Sequence, residues 1–315
     1  MKDVTMGNTL PISIILSPVL LVGYLSFAPM AKGENLPNPI RLGVVESFFR
    51  DVPEPMIGVA MKPFSALVKT QTGFDSELAP PTDTETVAEL LSKNKVQLAL
   101  FEGVEFAWAK QNWPDLQPLV IVVNEHRNRQ AFLIVRQDSK ITTFSDLQGK
   151  QLTIPRRSRS HCHLFVERLS QENGKEAKDF FSKLITSSGA EAALDDLADG
   201  GVQAVVVDRE ALDCYKRRKP GRFAKLKELQ KSEVFPDSVI AYRSGVFDQA
   251  VLNRFREGLG KADTTPIGRQ LLILWQMTSF EEVPADYARM LADIGKAYPP
   301  PKTAGTKKEK VNKSR

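Results

Sequence analysis

The sequence predicts an α/β protein built from two lobes that are joined by two extended crossings. Short apolar runs alternate with helical patterns in both halves of the 315 residues, which is typical of βαβ units with a parallel sheet covered by helices on both faces. The polar residues 124–130 interrupt the alternation once, and the chain returns through an apolar run at residues 237–242. Two lobes with two crossings outline a clamshell that closes about a hinge.

The first lobe takes its pattern from the residues that follow position 40. Its predicted strands are residues 41–45, 74–79, 96–101 and 118–123. Its predicted helices run from Pro53 and Pro55 to Gly73, from a capping box at Thr82 and Glu85 through Lys93, and over residues 103–111. Pro63 is expected to kink or split the first of these helices.

The second lobe repeats the pattern. Its predicted strands are residues 131–136, 151–154, 183–186 and 202–207, and its predicted helices begin near residues 160, 191 and 209. Three further helices near residues 249–259, 268–277 and 285–297 follow the return crossing. We therefore expect lobe 1 to contain residues 40–124 and 243–298, and lobe 2 to contain residues 125–242.

The formal net charge of +5 belongs to the C-terminal tail. Residues 299–315 hold six Lys and Arg against Glu309, so the rest of the chain balances to zero. A Pro-led tail of this composition is predicted to be disordered. The basic balance therefore gives no reason to expect a nucleic-acid partner.

The N-terminal residues 10–31 are almost free of charge. Residues 1–31 are interpreted as a secretory signal peptide, and an uncleaved membrane anchor is the alternative. Either interpretation places the protein in the periplasm or another extracytoplasmic compartment. Cys162 and Cys214 would then meet oxidising conditions, where they form a disulfide or remain two buried thiols.

The stretch QLTIPRRSRSH at residues 151–161 is the strongest candidate for a binding site. A strand that enters a helix through a polar loop directs backbone N–H groups and the positive end of the helix dipole at one point. Arg156, Arg157 and Arg159 lie at this point with the hydroxyls of Ser158 and Ser160. The alternative is an exposed basic turn in which a serine only caps the helix. Guanidinium groups suit phosphate or phosphonate, and Arg159 is the first candidate.

Two of the three histidines adjoin this loop. His161 and His163 diverge at i, i+2 on a helix, so they do not predict a metal site. His161 is a candidate donor to the same anion if it faces the cleft.

Five segments together resemble the solute-binding proteins of phosphate, phosphite and phosphonate ABC transporters. They are IRLGVV, MKPFSALVKTQTG, VAELLSKNKVQLALFEGVEFAWAKQ, DLQGKQLTIPRRSRSH and GGVQAVVVDREAL, in chain order within residues 40–297. The resemblance implies the type II periplasmic-binding-protein clamshell, a small phosphonate, phosphite or phosphate ligand, and a membrane ABC permease as partner.

The resemblance also implies a set of ligand-binding residues. A Ser-Thr-Ser type loop that grips phosphonate oxygens in the family corresponds to Ser158, Arg159 and Ser160. Strand ends of the first lobe contribute Ser47, Phe48 and Glu102, and the strand end of the second lobe contributes Asp208. Two positions depart from the family: Arg159 replaces a small hydroxyl residue, and Ala190 stands where a histidine is frequent.

Several of these residues have a simpler interpretation. Glu102 and Asp208 are expected either to cap helices or to receive an ammonium group or a protonated phosphonate oxygen. Phe48 is either a core residue or a wall of the cleft. The sequence has no GxSxG, HExxH, P-loop or GxGxxG motif, so we predict a non-enzymatic receptor without cofactor or metal. The alternatives are a sensor module without a transporter and an enzyme on the same fold.

Overall fold

The computed structural model describes residues 39–50, 52, 54–275 and 277–301. The predicted signal peptide or anchor at residues 1–31 lies outside the described residues, as do residues 302–315 of the predicted basic tail. None of the helices in the described part of the chain combines the length and the apolar character that a membrane crossing requires.

The described residues form an alternating series of strands and helices. The strands are β1 (Ile40–Val44), β2 (Ser76–Leu78), β3 (Leu98–Phe101), β4 (Leu116–Val123), β5 (Ala131–Arg136), β6 (Gln151–Thr153), β7 (Lys183–Ile185), β8 (Ala204–Asp208), β9 (Leu226–Lys231), β10 (Ser238–Arg243) and β11 (Ser279–Glu281). The helices are α1 (Glu54–Thr72), α2 (Thr84–Ser92), α3 (Gly103–Asn112), α4 (Ser160–Glu172), α5 (Ala177–Phe180), α6 (Ala190–Asp199), α7 (Arg209–Arg218), α8 (Pro220–Phe223), α9 (Gln249–Gly260), α10 (Pro266–Leu274) and α11 (Tyr287–Ala297). Short 3-10 turns lie at Glu46–Phe49, Phe144–Leu147 and Ala262–Thr264.

Lobe 1 is built on a six-stranded sheet with the order β11-β4-β10-β3-β1-β2. Strands β1, β2 and β3 are parallel, but β10 inserts antiparallel between β3 and β4. The expected parallel sheet is therefore mixed. The expected end of lobe 2 at residue 242 is also wrong, because Ser238–Arg243 pairs within the sheet of lobe 1.

Lobe 2 is built on a five-stranded sheet with the order β7-β6-β8-β5-β9. Strands β6, β7 and β8 are parallel, while β5 runs antiparallel to both β8 and β9. The alternation of strands and helices predicted the parallel strands β6, β7 and β8. It did not predict that β5, which follows the first crossing, runs antiparallel to β8.

Both sheets are covered by helices on their two faces, because their central strands are apolar on both sides. In lobe 1, Phe64 of α1 and Phe255 of α9 pack on one face, and Leu91 of α2 and Phe106 of α3 pack on the other. In lobe 2, α4 and α5 cover one face, and α6 and α7 cover the other.

Three local expectations change in detail. Helix α1 continues through Pro63 instead of splitting there, and it ends at Thr72, directly before Gly73, whose φ is 79°. The N-cap of α2 is Asp83, which accepts a hydrogen bond from the Thr86 N–H at 2.9 Å, instead of Thr82. Both cysteines are free thiols, of which Cys162 is buried on the apolar face of α4.

The two crossings lie side by side at residues 124–130 and 232–237. Arg129 and Phe235 exchange backbone hydrogen bonds across them at 3.0 and 2.8 Å. The Arg129 side chain lies 3.7 Å from the buried carboxylate of Asp237, which also accepts from the Asn128 N–H. Burial raises the pKa of Asp237, and the charge of Arg129 opposes this rise. The crossings are therefore joined by backbone and side-chain contacts.

Gly103 allows α3 to begin directly against the second crossing. A Cβ atom at this position would lie 2.7 Å from the carbonyl oxygen of Asp237 and still closer to that of Pro236. We expect Gly103→Ala to lower the free energy of unfolding by about 1–3 kcal/mol, measured by urea denaturation. The matched control is Gly58→Ala in α1, where a Cβ meets nothing within 4 Å. This control is expected to stabilise the protein by about 0.5–1 kcal/mol. Equal effects of the two changes would contradict the close approach.

Candidate functional site

A tight turn connects β6 to α4 and presents the predicted loop. The Ser158 N–H donates to the Pro155 carbonyl at 3.2 Å, and Arg157 has a φ of 62°. A positive φ at the third residue defines a turn of the type II class, which favours glycine. An arginine in this conformation costs about 1–2 kcal/mol, and strain of this kind is concentrated at functional sites.

Arg159 is the N-cap residue of α4 and extends into lobe 1. Its Nη2 donates to the backbone carbonyl of Trp275 at 2.9 Å, and its Nη1 lies 3.6 Å from the Glu102 carboxylate. The guanidinium also stacks over the ring of Phe48 at 5.4 Å from its centroid. Because all three partners belong to lobe 1, Arg159 connects the two lobes. Burial lowers its pKa, and the charge of Glu102 opposes this change.

Glu102 shares its surroundings with a second buried carboxyl, Glu105. Ser47 donates to Glu105 at 2.9 Å, and the backbone N–H of Glu102 donates to the same oxygen at 3.3 Å. Burial, followed by the nearby charge of Glu102, raises the pKa of Glu105 to about 8. Glu105 therefore keeps its proton at neutral pH.

Two cavities meet at the loop, and Arg157 and Ser158 line both. The first, the apolar cavity, has a volume of about 210 Å³. Its other lining residues are Ser47, Phe48, Phe49, Arg50, Val52, Met56, Val59, Arg159, Leu274 and Trp275. The second, the polar cavity, has a volume of about 550 Å³. Its other lining residues are Asn124, Pro155, Arg156, Ser188, Gly189, Ala190, Val207, Asp208, Glu210 and Ala211.

The polar cavity contains two neighbouring carboxyl groups. Asp208 is the N-cap of α7 and accepts from the Ala211 N–H at 2.8 Å, so it has the capping role that the sequence allowed. Glu210 lies beside it, and burial together with the charge of Asp208 raises the pKa of Glu210 to about 7. This wall of the cavity suits a cationic or hydrogen-bond-donating group of a ligand.

Ser160 and His161, both predicted to bind the ligand, are buried and line neither of these cavities. Ser160 is the first residue of α4, and its buried hydroxyl has no hydrogen-bond partner among the described residues. The ring of His161 is buried against Phe235 at 5.6 Å between centroids. Burial and the charges of Arg129 and Arg159 hold the pKa of His161 well below its usual value. His161 is therefore neutral at physiological pH.

The structure thus divides the predicted site residues into groups. Ser47, Phe48, Arg157, Ser158 and Arg159 line the apolar cavity, and Asp208 lines the polar one. Glu102 reaches the site only through its contact with Arg159.

Arg50, Glu210 and Trp275 line these cavities without having been predicted. Arg50 and Glu210 each lie two residues after a predicted residue, Phe48 and Asp208, so position after a strand was an available signal. Trp275 contributes a carbonyl oxygen from a distant helix, for which the sequence gives no signal. No group of histidine, cysteine, aspartate and glutamate side chains in the described ranges is arranged to hold a metal ion.

Solved structures with the same fold support the two-lobe architecture. PhnD1 from Prochlorococcus marinus in complex with methylphosphonate has a TM-score of 0.53 and 15% identity, over 82% of this chain and 98% of that chain. A Xanthomonas citri protein bound to ATP has a TM-score of 0.57 and 18% identity, over 82% of this chain and 96% of that chain. A binding protein component of the phosphonate ABC transporter of Pseudomonas aeruginosa has a TM-score of 0.52 and 16% identity, over 83% and 88%. At these identities the likeness concerns the fold, which is the type II periplasmic-binding-protein fold.

Comparison of the amino-acid sequence, rather than of the fold, identifies the family. No curated protein matches this chain. A family model described as the periplasmic substrate-binding protein of phosphonate ABC transporters matches residues 55–287, which is well over half of the 315 residues. The chain therefore belongs to the family of periplasmic substrate-binding proteins of phosphonate ABC transporters.

Proposed function

We propose that the protein is an extracytoplasmic receptor that binds a small phosphorus oxyanion, such as phosphonate, phosphite or phosphate, and delivers it to an ABC permease. The observation that carries this proposal is the strained turn at Arg157 and Ser158. This turn lies before the N-terminus of α4, at the point where the two cavities meet. Helix N-termini and guanidinium groups are the usual protein partners of phosphoryl oxygens.

In this proposal the residues of the loop have different roles. Arg157 and Ser158 contact the oxyanion, and Arg159 holds lobe 1 against lobe 2 through Trp275 and Glu102. Asp208 and Glu210 receive a donor group of the ligand on the opposite wall. Closure of the lobes removes water from the oxyanion and strengthens its charge-assisted hydrogen bonds. The ligand then shifts the population toward the closed form, which makes more contacts with it.

The test is isothermal titration of the purified protein with phosphate, phosphite, methylphosphonate and 2-aminoethylphosphonate. We expect at least one of them to bind, and we expect Arg157→Gly to weaken that binding about tenfold or more. Glycine suits the φ of 62°, so this variant is expected to fold at least as stably as the parent protein.

Two control variants separate the causes of such a loss. Asn94→Gly relieves a similar φ of 55° elsewhere in the chain, and Lys183→Gln removes an exposed positive charge of lobe 2. Both are expected to bind as the parent protein does. If none of the four anions binds or raises the melting temperature, the phosphorus oxyanion is the wrong ligand.

A further inference from the structure

The lining of the apolar cavity contains more apolar side chains than a small, fully polar anion requires. Its walls include the side chains of Phe48, Phe49, Met56, Val59 and Trp275, and Arg50, Arg157 and Arg159 also reach its lining. A site for a bare oxyanion has no need of so much apolar surface, because each polar oxygen seeks a donor. The combination of an apolar lining with guanidinium groups matches a ligand with one charged end and one apolar end.

Part of this lining is unusually exposed. The exposed fractions are 53% for Met56, 52% for Val59 and 50% for Leu274, and these residues come from the two helices α1 and α10. Leu184 and Val234 are also exposed, at 41% and 44%, but they do not line this cavity. Large apolar side chains that gather around one opening mark a binding surface more often than scattered ones do.

Contacts within the protein hold these walls in place. The ring of Trp275 stacks on Phe64 at 5.9 Å between centroids, with an angle of 10° between the rings. The guanidinium of Arg159 lies over the ring of Phe48, 5.4 Å from its centroid. A preformed cavity retains more of the free energy of burial as affinity, because few side chains must be ordered on binding.

We propose that the natural ligand is a phosphorus oxyanion with an apolar substituent, whose anionic end meets Arg157 and Ser158 and whose substituent fills the apolar cavity. This inference rests on the proposed function and specifies its class of ligand. A cavity of about 150 Å³ with an apolar lining is known to hold benzene. The 210 Å³ found here accordingly fits a substituent between a phenyl ring and a short alkyl chain.

The test compares methyl-, ethyl-, propyl- and butylphosphonate by isothermal titration with the purified protein. We expect the affinity to rise about fourfold with each methylene group, or about 60-fold from methyl to butyl, as burial of methylene groups predicts. In the variant Val59→Gln/Leu274→Gln this gain is expected to fall below about fivefold. Both residues are exposed, so neither substitution removes a core side chain.

The matched control is Leu184→Gln/Val234→Gln, which makes the same change at two exposed apolar residues outside the cavity. It is expected to retain the full gain with chain length. Equal loss in both double variants would show that the gain does not arise in the apolar cavity.

A parallel series from methane- to butanesulfonate separates this inference from the proposed function. If phosphonates bind but butylphosphonate binds no better than methylphosphonate, the apolar subsite is wrong and the proposed function stands. If only the sulfonates bind and their affinity rises with chain length, the apolar subsite is supported and the phosphorus oxyanion is overturned. If neither series binds, both proposals fall.

Discussion

Replacing Arg159 by methionine is expected to lower the free energy of unfolding by roughly 3–5 kcal/mol, because it leaves the carboxylate of Glu102 buried without its cation. Glu102 is only 3% exposed, and its Oε1 has the guanidinium at 3.6 Å but no hydrogen bond among the described residues. Its other oxygen accepts from Ser238 at 3.2 Å, and its side chain forms a capping box with Glu105 at the start of α3. A neutral hydroxyl cannot compensate a buried negative charge.

The double variant Arg159→Met/Glu102→Gln tests whether the loss arises from the unpaired charge. Removing both charges of a buried pair is often nearly neutral, so this variant is expected to recover most of the lost stability. The surface pair of Arg289 and Asp286 supplies the control, because its side chains are 74% and 51% exposed. Arg289→Met is expected to change the free energy of unfolding by less than about 1 kcal/mol. Urea denaturation at pH 7 measures all three variants, and an unchanged stability of Arg159→Met alone would contradict the interlobe pair.

The alternation of apolar strands and helices was sufficient to predict the two-lobe α/β architecture. It could not predict which strands become neighbours. Residues 237–242 were expected to be a crossing, since their apolar character does not reveal that Ser238–Arg243 pairs with both β3 and β4. Those partners lie more than a hundred residues earlier in the chain, and only the packing of lobe 1 brings them together. The three-residue strand β11 was missed for the same reason.

In the candidate site, too, contacts between residues that are distant in the sequence could not be predicted. The order of strand, arginine-rich loop and helix predicted an anion site, and the structure places a turn and a helix N-terminus there. The sequence did not predict that Arg159 would point away from its own lobe. Its acceptor, the carbonyl of Trp275, lies 116 residues further along the chain. Contacts between lobes depend on the hinge geometry, which no local pattern encodes.

Replacing Glu105 by glutamine is expected to make the protein more stable at pH 8 and to change little at pH 4.5. The pKa of Glu105 is about 8 in the folded protein against an ordinary value of 4.5, because burial and the charge of Glu102 disfavour its ionised form. Between these two pH values the unfolded chain releases this proton while the folded chain retains it. The folded state then binds more protons, so the stability falls as the pH rises through this window. Glutamine resembles the protonated carboxyl and has no proton to release.

The gain at pH 8 is expected to be on the order of 4 kcal/mol, since each unit of pKa difference corresponds to about 1.4 kcal/mol. Thermal and urea denaturation of both proteins from pH 4.5 to pH 8.5 would show two curves that coincide in acid and separate steadily toward alkaline pH. Other carboxyls with shifted pKa values, such as Glu210 and Asp237, contribute to both curves and cancel in the difference. Glu85→Gln, a change to an exposed carboxylate of α2, serves as the control and is expected to alter the stability by less than about 0.5 kcal/mol. Parallel curves for Glu105→Gln and the parent protein would show that Glu105 is ionised in the fold, and the buried pair with Glu102 would then carry two negative charges next to Arg159.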